Sequence, residues 1–144
     1  MKVIDTNILL YARDSLSAQH KTILAWWEQA IGGDEPIALP WVAVLGFLRM
    51  STNGRVFKNP LSASDSVQCI EQWLSCANVR LICETAQHWR ILTELLTECG
   101  TAGNLTTDAH IAALAIGRGA TLVSCDTDFA RFKRLRWENP LAAI

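Results

Sequence analysis

The sequence lacks the features that mark secreted, membrane-spanning and thiolate-zinc proteins. Its five cysteines are odd in number and show no Cys-x-x-Cys spacing, so neither a disulfide framework nor a structural zinc site is expected. Apolar runs such as residues 37–39 and 41–45 are far shorter than the roughly 20 residues that span a bilayer. An acidic residue stands at position 5, too early for the apolar stretch of a signal peptide. We therefore expect a cytoplasmic protein with no membrane association.

An excess of charge of one sign is also lacking. The formal net charge is −1 and 19% of residues are charged, so net charge alone gives no attraction to nucleic acid, although a local phosphate site is compatible with it. No His-Glu-x-x-His, Gly-x-Ser-x-Gly or P-loop pattern is present. What the chain does contain is 50% hydrophobic residues, enough for the core of a single domain over residues 1–144.

Short apolar segments alternate along the chain with segments of helical periodicity. Strands are predicted at residues 2–4, 37–39, 79–82 and 121–125. Helices are predicted at residues 18–31, from Pro40 to before Asn53, after a cap at Ser62 or Ser64, at 85–99 and at 108–116, with a loop at 103–105. This alternation favours parallel crossover units, and hence an α/β fold with helices on both faces of a mainly parallel sheet.

Helical spacing also assigns most of the tryptophans. Trp27, Trp73 and Trp89 fall on apolar helix faces and are predicted to lie in the core. Val67 is predicted to share the apolar face of Trp73. Trp26 cannot share the face of its neighbour Trp27, so it is either an exposed contact for a partner or a residue packed under a loop.

Acidic residues stand at the ends of the predicted elements. Asp5 follows the first strand, and Asp126 and Asp128 follow the strand at residues 121–125. Asp108 opens the helix that leads to that strand. Strand carboxyl ends and helix amino ends share one edge of a parallel sheet, which brings these acids towards one rim. Two interpretations are open: a carboxylate cluster that holds Mg²⁺ or Mn²⁺, or a set of ordinary helix caps.

Five segments, in order, resemble one protein family. They read VIDTNIL at residues 3–9, FLRMSTNGRVF at 47–57, TDAHIAALA at 107–115, LVSCDTDF at 122–129 and NPL at 139–141. Together they resemble the PIN-domain family, in particular the VapC-type toxins of bacterial and archaeal toxin–antitoxin pairs. The resemblance covers nearly the whole chain. It implies a single PIN-like domain with a five-stranded parallel sheet, and Mg²⁺- or Mn²⁺-dependent endoribonuclease activity.

The resemblance also implies roles for individual residues. Asp5, Asp108 and Asp126 match three of the family's four acidic residues and are expected to hold the metal ion. Asp128 matches an additional acid near the last of these, and is a further expected ligand. Ser124 matches a nearby Ser or Thr that positions an acid or a water. The implied reaction is hydrolysis of an RNA phosphodiester by a metal-activated water.

Substrate and partners are implied in the same way. The family acts on tRNA, rRNA or mRNA, commonly forms homodimers, and binds a cognate antitoxin that inserts a segment into the active site. Thr6 and Asn7 match the residues after the first acid and are candidate substrate contacts. Arg131 and Lys133, in a basic segment with interleaved aromatic residues, either hold an RNA backbone near Asp126 or form a solvated basic edge. Nothing in the spacing decides whether Arg13, Arg49 and Arg55 face the substrate or the antitoxin.

One residue of the family pattern is missing. The family usually places Glu directly before Phe-Leu-Arg, and here that position is Gly46, with no other acid between Glu35 and Asp65. Three accounts are open: close packing of a neighbouring helix in a natural subgroup, a weakened nuclease, or a detoxifying change. The alternative function is therefore a PIN-fold protein that binds RNA or antitoxin without catalysis. A metal-dependent phosphatase is more remote, because its two acids separated by one residue are not found after the first strand.

Overall fold

Five parallel strands form the frame of the molecule, for which a computed structural model describes residues 1–142. The strands are β1 (Lys2–Ile4), β2 (Ile37–Pro40), β3 (Val79–Ile82), β4 (Thr121–Val123) and β5 (Trp137–Glu138). Their spatial order is β3-β2-β1-β4-β5, and every neighbouring pair is parallel. The strand order reverses at β1, which lies between β2 and β4, so a crevice is expected at the carboxyl ends of β1 and β4.

Helices cover both faces of this sheet. They are α1 (Thr6–Arg13), α2 (His20–Ile31), α3 (Trp41–Ser51), α4 (Ala63–Leu74), α5 (His88–Cys99) and α6 (Thr106–Gly117). Because neighbouring strand residues point to opposite faces, Val3 packs into a core with α5 and α6, and Ile4 packs into a second core with α1 to α4. The predicted α/β class, with five parallel strands and helices on both faces, is confirmed.

The structure differs from the predictions mainly at the ends of elements. The helix α1 was not predicted at all. Compared with the predictions, α2 begins two residues later, α5 begins three residues later and α6 begins two residues earlier. The strand β4 ends two residues earlier than predicted. The predicted loop at Gly103–Leu105 is a short 3-10 helix, and a second one spans Thr127–Arg131. The late start of α5 has a local cause, because the His88 amide donates to the Thr85 carbonyl and makes residues 85–88 a turn.

Two predicted core residues are exposed. The prediction for Trp89 is wrong, since 74% of its surface is exposed. The buried residues of α5 are Ile91 and Leu95, and a residue two positions before Ile91 lies about 200° around the helix. The prediction for Val67 is also wrong: it is 47% exposed, because α4 turns Ile70 rather than Val67 to the core.

The remaining tryptophan predictions are decided by packing. Trp27 is buried and meets Trp73 edge to face, with ring centroids 5.4 Å apart, which confirms both as core residues. Trp26 is half-buried, and the Lys2 ammonium lies 5.4 Å from its ring centroid. It is thus a packed residue rather than a fully exposed contact.

Two further structural facts bear on the composition. No helix within residues 1–142 combines the length and the apolar character that crossing a membrane requires. The five cysteines are unpaired; Cys83 is exposed and the other four are partly buried.

Candidate active site

Three aspartates meet at the carboxyl edge of the sheet. Asp5 directly follows β1, Asp126 follows β4 at the end of a short connection, and Asp108 lies in the first turn of α6. All three line one cavity of about 270 Å³. The structure thus brings Asp5 together with two acids that lie more than a hundred residues later in the sequence, at the point where the strand order reverses.

Asp5 is held in place by three hydrogen-bond donors. Its Oδ1 accepts from the Thr6 amide at 2.7 Å, and its Oδ2 accepts from the Ser124 hydroxyl at 2.7 Å and from the Asn7 side-chain amide at 3.3 Å. Burial raises the pKa of Asp5, and the charge of Asp126 adds to this effect; the bonds from Ser124 and Thr6 oppose it. The carboxylate is therefore fixed in orientation before any ligand arrives.

Ser124 and Asn7 link the ends of β1 and β4. The Ser124 hydroxyl is fully buried and accepts from the Asn7 side-chain amide at 3.1 Å and from the Asp126 backbone amide at 3.0 Å. The Asn7 carbonyl oxygen accepts from the Cys125 amide at 3.1 Å. Of the two roles considered for Ser124, these contacts match the positioning of an acid. The Asn7 amide, a candidate substrate contact, is engaged within the protein.

Asp108, Asp126 and Asp128 form a tight carboxylate cluster. They can each place one oxygen within 4.8 Å of the others. Burial, followed by the charges of Asp126, Asp5 and Asp128, raises the pKa of Asp108 to about 6. Within residues 1–142 none of these acids forms an ion pair with Lys, Arg or His. Oxygen-only ligation by unpaired carboxylates suits Mg²⁺ or Mn²⁺, so the residues fit a divalent cation.

The helix-cap interpretation is correct for Asp126. The Asp126 side chain accepts from the Asp128 amide at 2.9 Å and so caps the 3-10 helix at Thr127–Arg131. Only one carboxylate oxygen is used in this way, which leaves the other available to the cavity.

The position of the missing glutamate lies in the wall of the same cavity. A Cβ atom added at Gly46 would lie 2.8 Å from Thr6 Oγ1 and 2.9 Å from Thr6 Cγ2. Contacts this short require Thr6 to move, and a β-branched side chain has few alternative rotamers. Gly46 therefore allows α1 to pack closely against α3. This contact supports the account in which glycine serves packing.

Basic residues divide between two cavities. Arg49, whose role the sequence left undecided, lines the aspartate cavity. Arg131 and Lys133 line a different cavity with Glu98 and Cys99, so the structure does not bring them to the aspartates' cavity. Helical spacing was the available signal for Arg49, because it follows Gly46 by three residues on α3.

A histidine pair anchors α6 away from the cavity. His110 Nδ1 lies 2.9 Å from His88 Nε2 on α5, and Glu84 lies 3.7 Å from the other His110 ring nitrogen. His110 thus faces α5, while Asp108, two residues earlier on α6, lines the cavity.

Comparison with known proteins agrees with this geometry. The family model for the PIN domain matches residues 2–135. The chain is 42% identical over 141 residues to Ribonuclease VapC33 of Mycobacterium tuberculosis, covering 98% of this chain and 99% of the relative. It is 39% identical over 144 residues to Ribonuclease VapC37 of the same species, covering 100% of both. The VapBC2 structure from Rickettsia felis, bound to a promoter DNA fragment, shows the same fold with a TM-score of 0.72 at 23% identity, covering 96% of this chain and 97% of that one.

The chain therefore belongs to the PIN-domain family, and within it to the VapC ribonucleases.

Proposed function

We propose that this protein is a divalent-metal-dependent endoribonuclease and the toxin of a toxin–antitoxin pair. The observation that carries the proposal is the convergence of Asp5, Asp108 and Asp126 on one cavity of the PIN fold. Whole-chain similarity to proteins named as VapC ribonucleases supports RNA as the substrate. The catalytically inactive binding protein is not favoured, because all three aspartates of the family pattern are in place.

The carboxylates have distinct tasks in this proposal. Asp108, Asp126 and Asp128 would hold Mg²⁺ or Mn²⁺ from one side, and Asp5 would contribute from the buried side of the cavity. When bound, such an ion lowers the pKa of a water molecule and stabilises negative charge that develops on a phosphodiester. Three or four carboxylates leave room for waters and substrate phosphate, as is usual for Mg²⁺.

Hydrogen-bonded neighbours fix the geometry of these acids. The Ser124 hydroxyl donates to Asp5 and accepts from the Asp126 amide, so one buried side chain sets the spacing of two acids. Asn7 holds Ser124 and the following backbone amide at the same time. Because Asp108 has a pKa of about 6, a proton competes with the cation below that pH.

The proposal extends to partners and compartment. Solved VapBC structures contain toxin and antitoxin together, and we propose a cognate antitoxin for this chain as well. We also propose a homodimer, for which the exposed apolar side chains of Trp41 and Leu45 on α3 offer contact area. We propose the cytoplasm as the compartment, since the proposed substrate is RNA.

A cleavage assay tests the proposal. Total RNA is incubated with Mg²⁺ or Mn²⁺ and with the natural chain, Asp108→Asn or Gly46→Glu. We expect discrete cleavage by the natural chain, none by the isosteric Asp108→Asn, and no gain from Gly46→Glu because Thr6 occupies the required space. Activity that appears only with Gly46→Glu would support the weakened-nuclease account instead. Inertness of all three proteins on every RNA tried would contradict the proposed function.

A further inference from the structure

One basic side chain lines the active-site cavity together with the aspartates. The residues of α3 that line it are Val42, Gly46, Arg49 and Met50, whose spacing places them on one face of the helix. Arg49 is the only basic residue among the lining residues, which otherwise include three aspartates. Arg49 lies on the wall formed by α3, whereas the carboxylates follow β1 and β4 or lie on α6.

The guanidinium of Arg49 is free within residues 1–142. The side chain is exposed, and neither an ion pair nor a hydrogen bond engages it; only its backbone carbonyl accepts a bond, from Thr52. Some basic residues are engaged within the protein. Lys2 is paired with Glu35 and Glu138, and Arg134 is paired with Glu94.

Position 46 supplies no carboxylate to Arg49. Residues three apart on a helix are neighbours, so an acid at position 46 would lie within reach of the guanidinium. No acid occurs anywhere on α3, nor between Glu35 and Asp65. Thr6, rather than a charged group, fills the space beside Gly46.

We propose that Arg49 binds an RNA phosphate next to the scissile bond, and that Gly46 makes this possible by leaving the guanidinium unpaired. The inference rests on the proposed ribonuclease function and names a substrate contact within the same site. Substrate phosphate must approach several carboxylates, and a guanidinium on the facing wall attracts it with paired N–H donors. The loss of the usual glutamate is thus coupled to a gain in substrate binding.

RNA binding in an uncleaved background tests this proposal. Asp108→Asn is combined with Arg49→Gln, Arg49→Lys or Arg80→Gln, and affinity for a fluorescein-labelled RNA stem-loop is measured over a range of salt concentrations. Arg80 is the matched control, since it is exposed on the outer strand β3 and has no ion pair within the described residues. We expect Arg49→Gln to weaken binding about tenfold and to reduce the salt slope by about 0.7, the change for one single-strand phosphate contact. Arg49→Lys should keep the slope and lose part of the affinity, and Arg80→Gln should change neither.

A double-mutant cycle tests the role of Gly46. Gly46→Glu should weaken RNA binding, and Arg49→Gln should then have a smaller further effect than it has in the presence of Gly46. Gly46→Gln introduces a side chain of the same size as Gly46→Glu but without its charge. In this variant Arg49→Gln should keep its full effect on RNA affinity. The comparison separates the effect of charge from that of the contact with Thr6.

The outcomes distinguish this inference from the proposed function. If the natural chain cleaves total RNA and the Asp108→Asn protein binds the stem-loop, equal affinities for the Arg49→Gln and Arg80→Gln variants overturn the role of Arg49 alone. If the natural chain neither cleaves RNA nor binds the stem-loop, the proposed function and this inference fall together.

Discussion

Charged side chains have opposite kinds of neighbours at the two ends of β1. Near its start, Lys2 is paired with Glu138 at 2.9 Å and with Glu35 at 3.9 Å, and its ammonium lies over the Trp26 ring. Just past its end, Asp5 faces other carboxylates and is held by hydrogen bonds from neutral groups. Only a short strand, Lys2–Ile4, separates the two environments.

The difference shows which charges serve the fold. Opposite charges around Lys2 compensate each other without a ligand. At the other end, burial raises the pKa values of Asp5 and Asp108, and repulsion from neighbouring carboxylates adds to this effect. Such an arrangement lowers the stability of the empty protein, and a cation reverses that cost. We therefore interpret the carboxyl end as built for a ligand and the region around Lys2 as built for stability.

The largest contrast is expected for removal of one carboxylate at each end. Asp126→Asn keeps a side-chain acceptor for the Asp128 amide but removes a proposed metal ligand, so RNA cleavage should fall by at least about 100-fold. Glu35→Gln removes the same charge near Lys2 and should leave cleavage unchanged. Rates measured on the same RNA compare the two, and equal rates for both variants would contradict the assignment.

A second prediction concerns Ser124. Ser124→Ala removes the donor to Asp5 and the acceptor for Asn7 and Asp126, which should cost about 1–3 kcal/mol of unfolding free energy. Misorientation of the acids should also lower cleavage about 10- to 100-fold. Urea unfolding and cleavage rates measure the two effects.

Ser51 provides the matched control for Ser124. It is fully buried and its hydroxyl lies 2.7 Å from that of Ser66, away from the aspartate cavity. Ser51→Ala should cost comparable stability with no loss of cleavage. A similar loss of cleavage in both variants would mean that Ser124 acts only through stability.

A third prediction concerns pH. Because Asp108 titrates near pH 6 in the folded protein and near 3.8 in the unfolded chain, the folded state binds more protons between these values. The stability of the metal-free protein should therefore fall as the pH rises from about 4 to about 6. After allowance for solvent screening, the effect is about 1 kcal/mol, or about 3 °C in Tm.

Asp108→Asn separates this effect from other titrations. In EDTA the variant should melt about 3 °C above the natural chain at pH 7.5, and at the same temperature at pH 4. A lower melting temperature for Asp108→Asn at pH 7.5 would show that the carboxylate stabilises the empty protein.

The smallest effect is expected near the start of β1. Lys2→Met removes two ion pairs of a partly exposed side chain, which should cost less than about 1 kcal/mol and leave RNA cleavage unchanged. Thermal unfolding at low and high salt measures it, since the loss should shrink when salt screens the pairs in the natural chain. A loss of RNA cleavage in Lys2→Met would contradict the assignment of separate roles to the two ends of β1.

Much of this organisation could be predicted from the sequence because strand ends are local signals. Asp5, Asp108 and Asp126 each stand at a boundary between an apolar segment and a polar one, and parallel topology determines which boundaries meet. The helix α1 escaped prediction because it is only eight residues long and follows β1 after a single residue. That single residue is Asp5, which caps the helix with its side chain.

Contacts that depend on how two helices pack against each other could not be predicted from the sequence. The contact between Gly46 and Thr6 exists because α3 and α1 meet at that point, and no periodicity within either helix reports it. Trp89 was misplaced for a similar reason. Its spacing from Leu92, Leu95 and Leu96 predicts one apolar face, but α5 buries Ile91 and Leu95 and leaves Trp89 exposed.

Titration with Mn²⁺ shows whether the aspartates form a cation site. Isothermal calorimetry of the natural chain, with and without a bound RNA stem-loop, should show uptake of about one ion per chain, which Asp108→Asn abolishes and Glu35→Gln leaves intact. Absence of uptake by the natural chain even in the presence of RNA, or equal uptake by Asp108→Asn, would contradict the claim that these aspartates form a cation site.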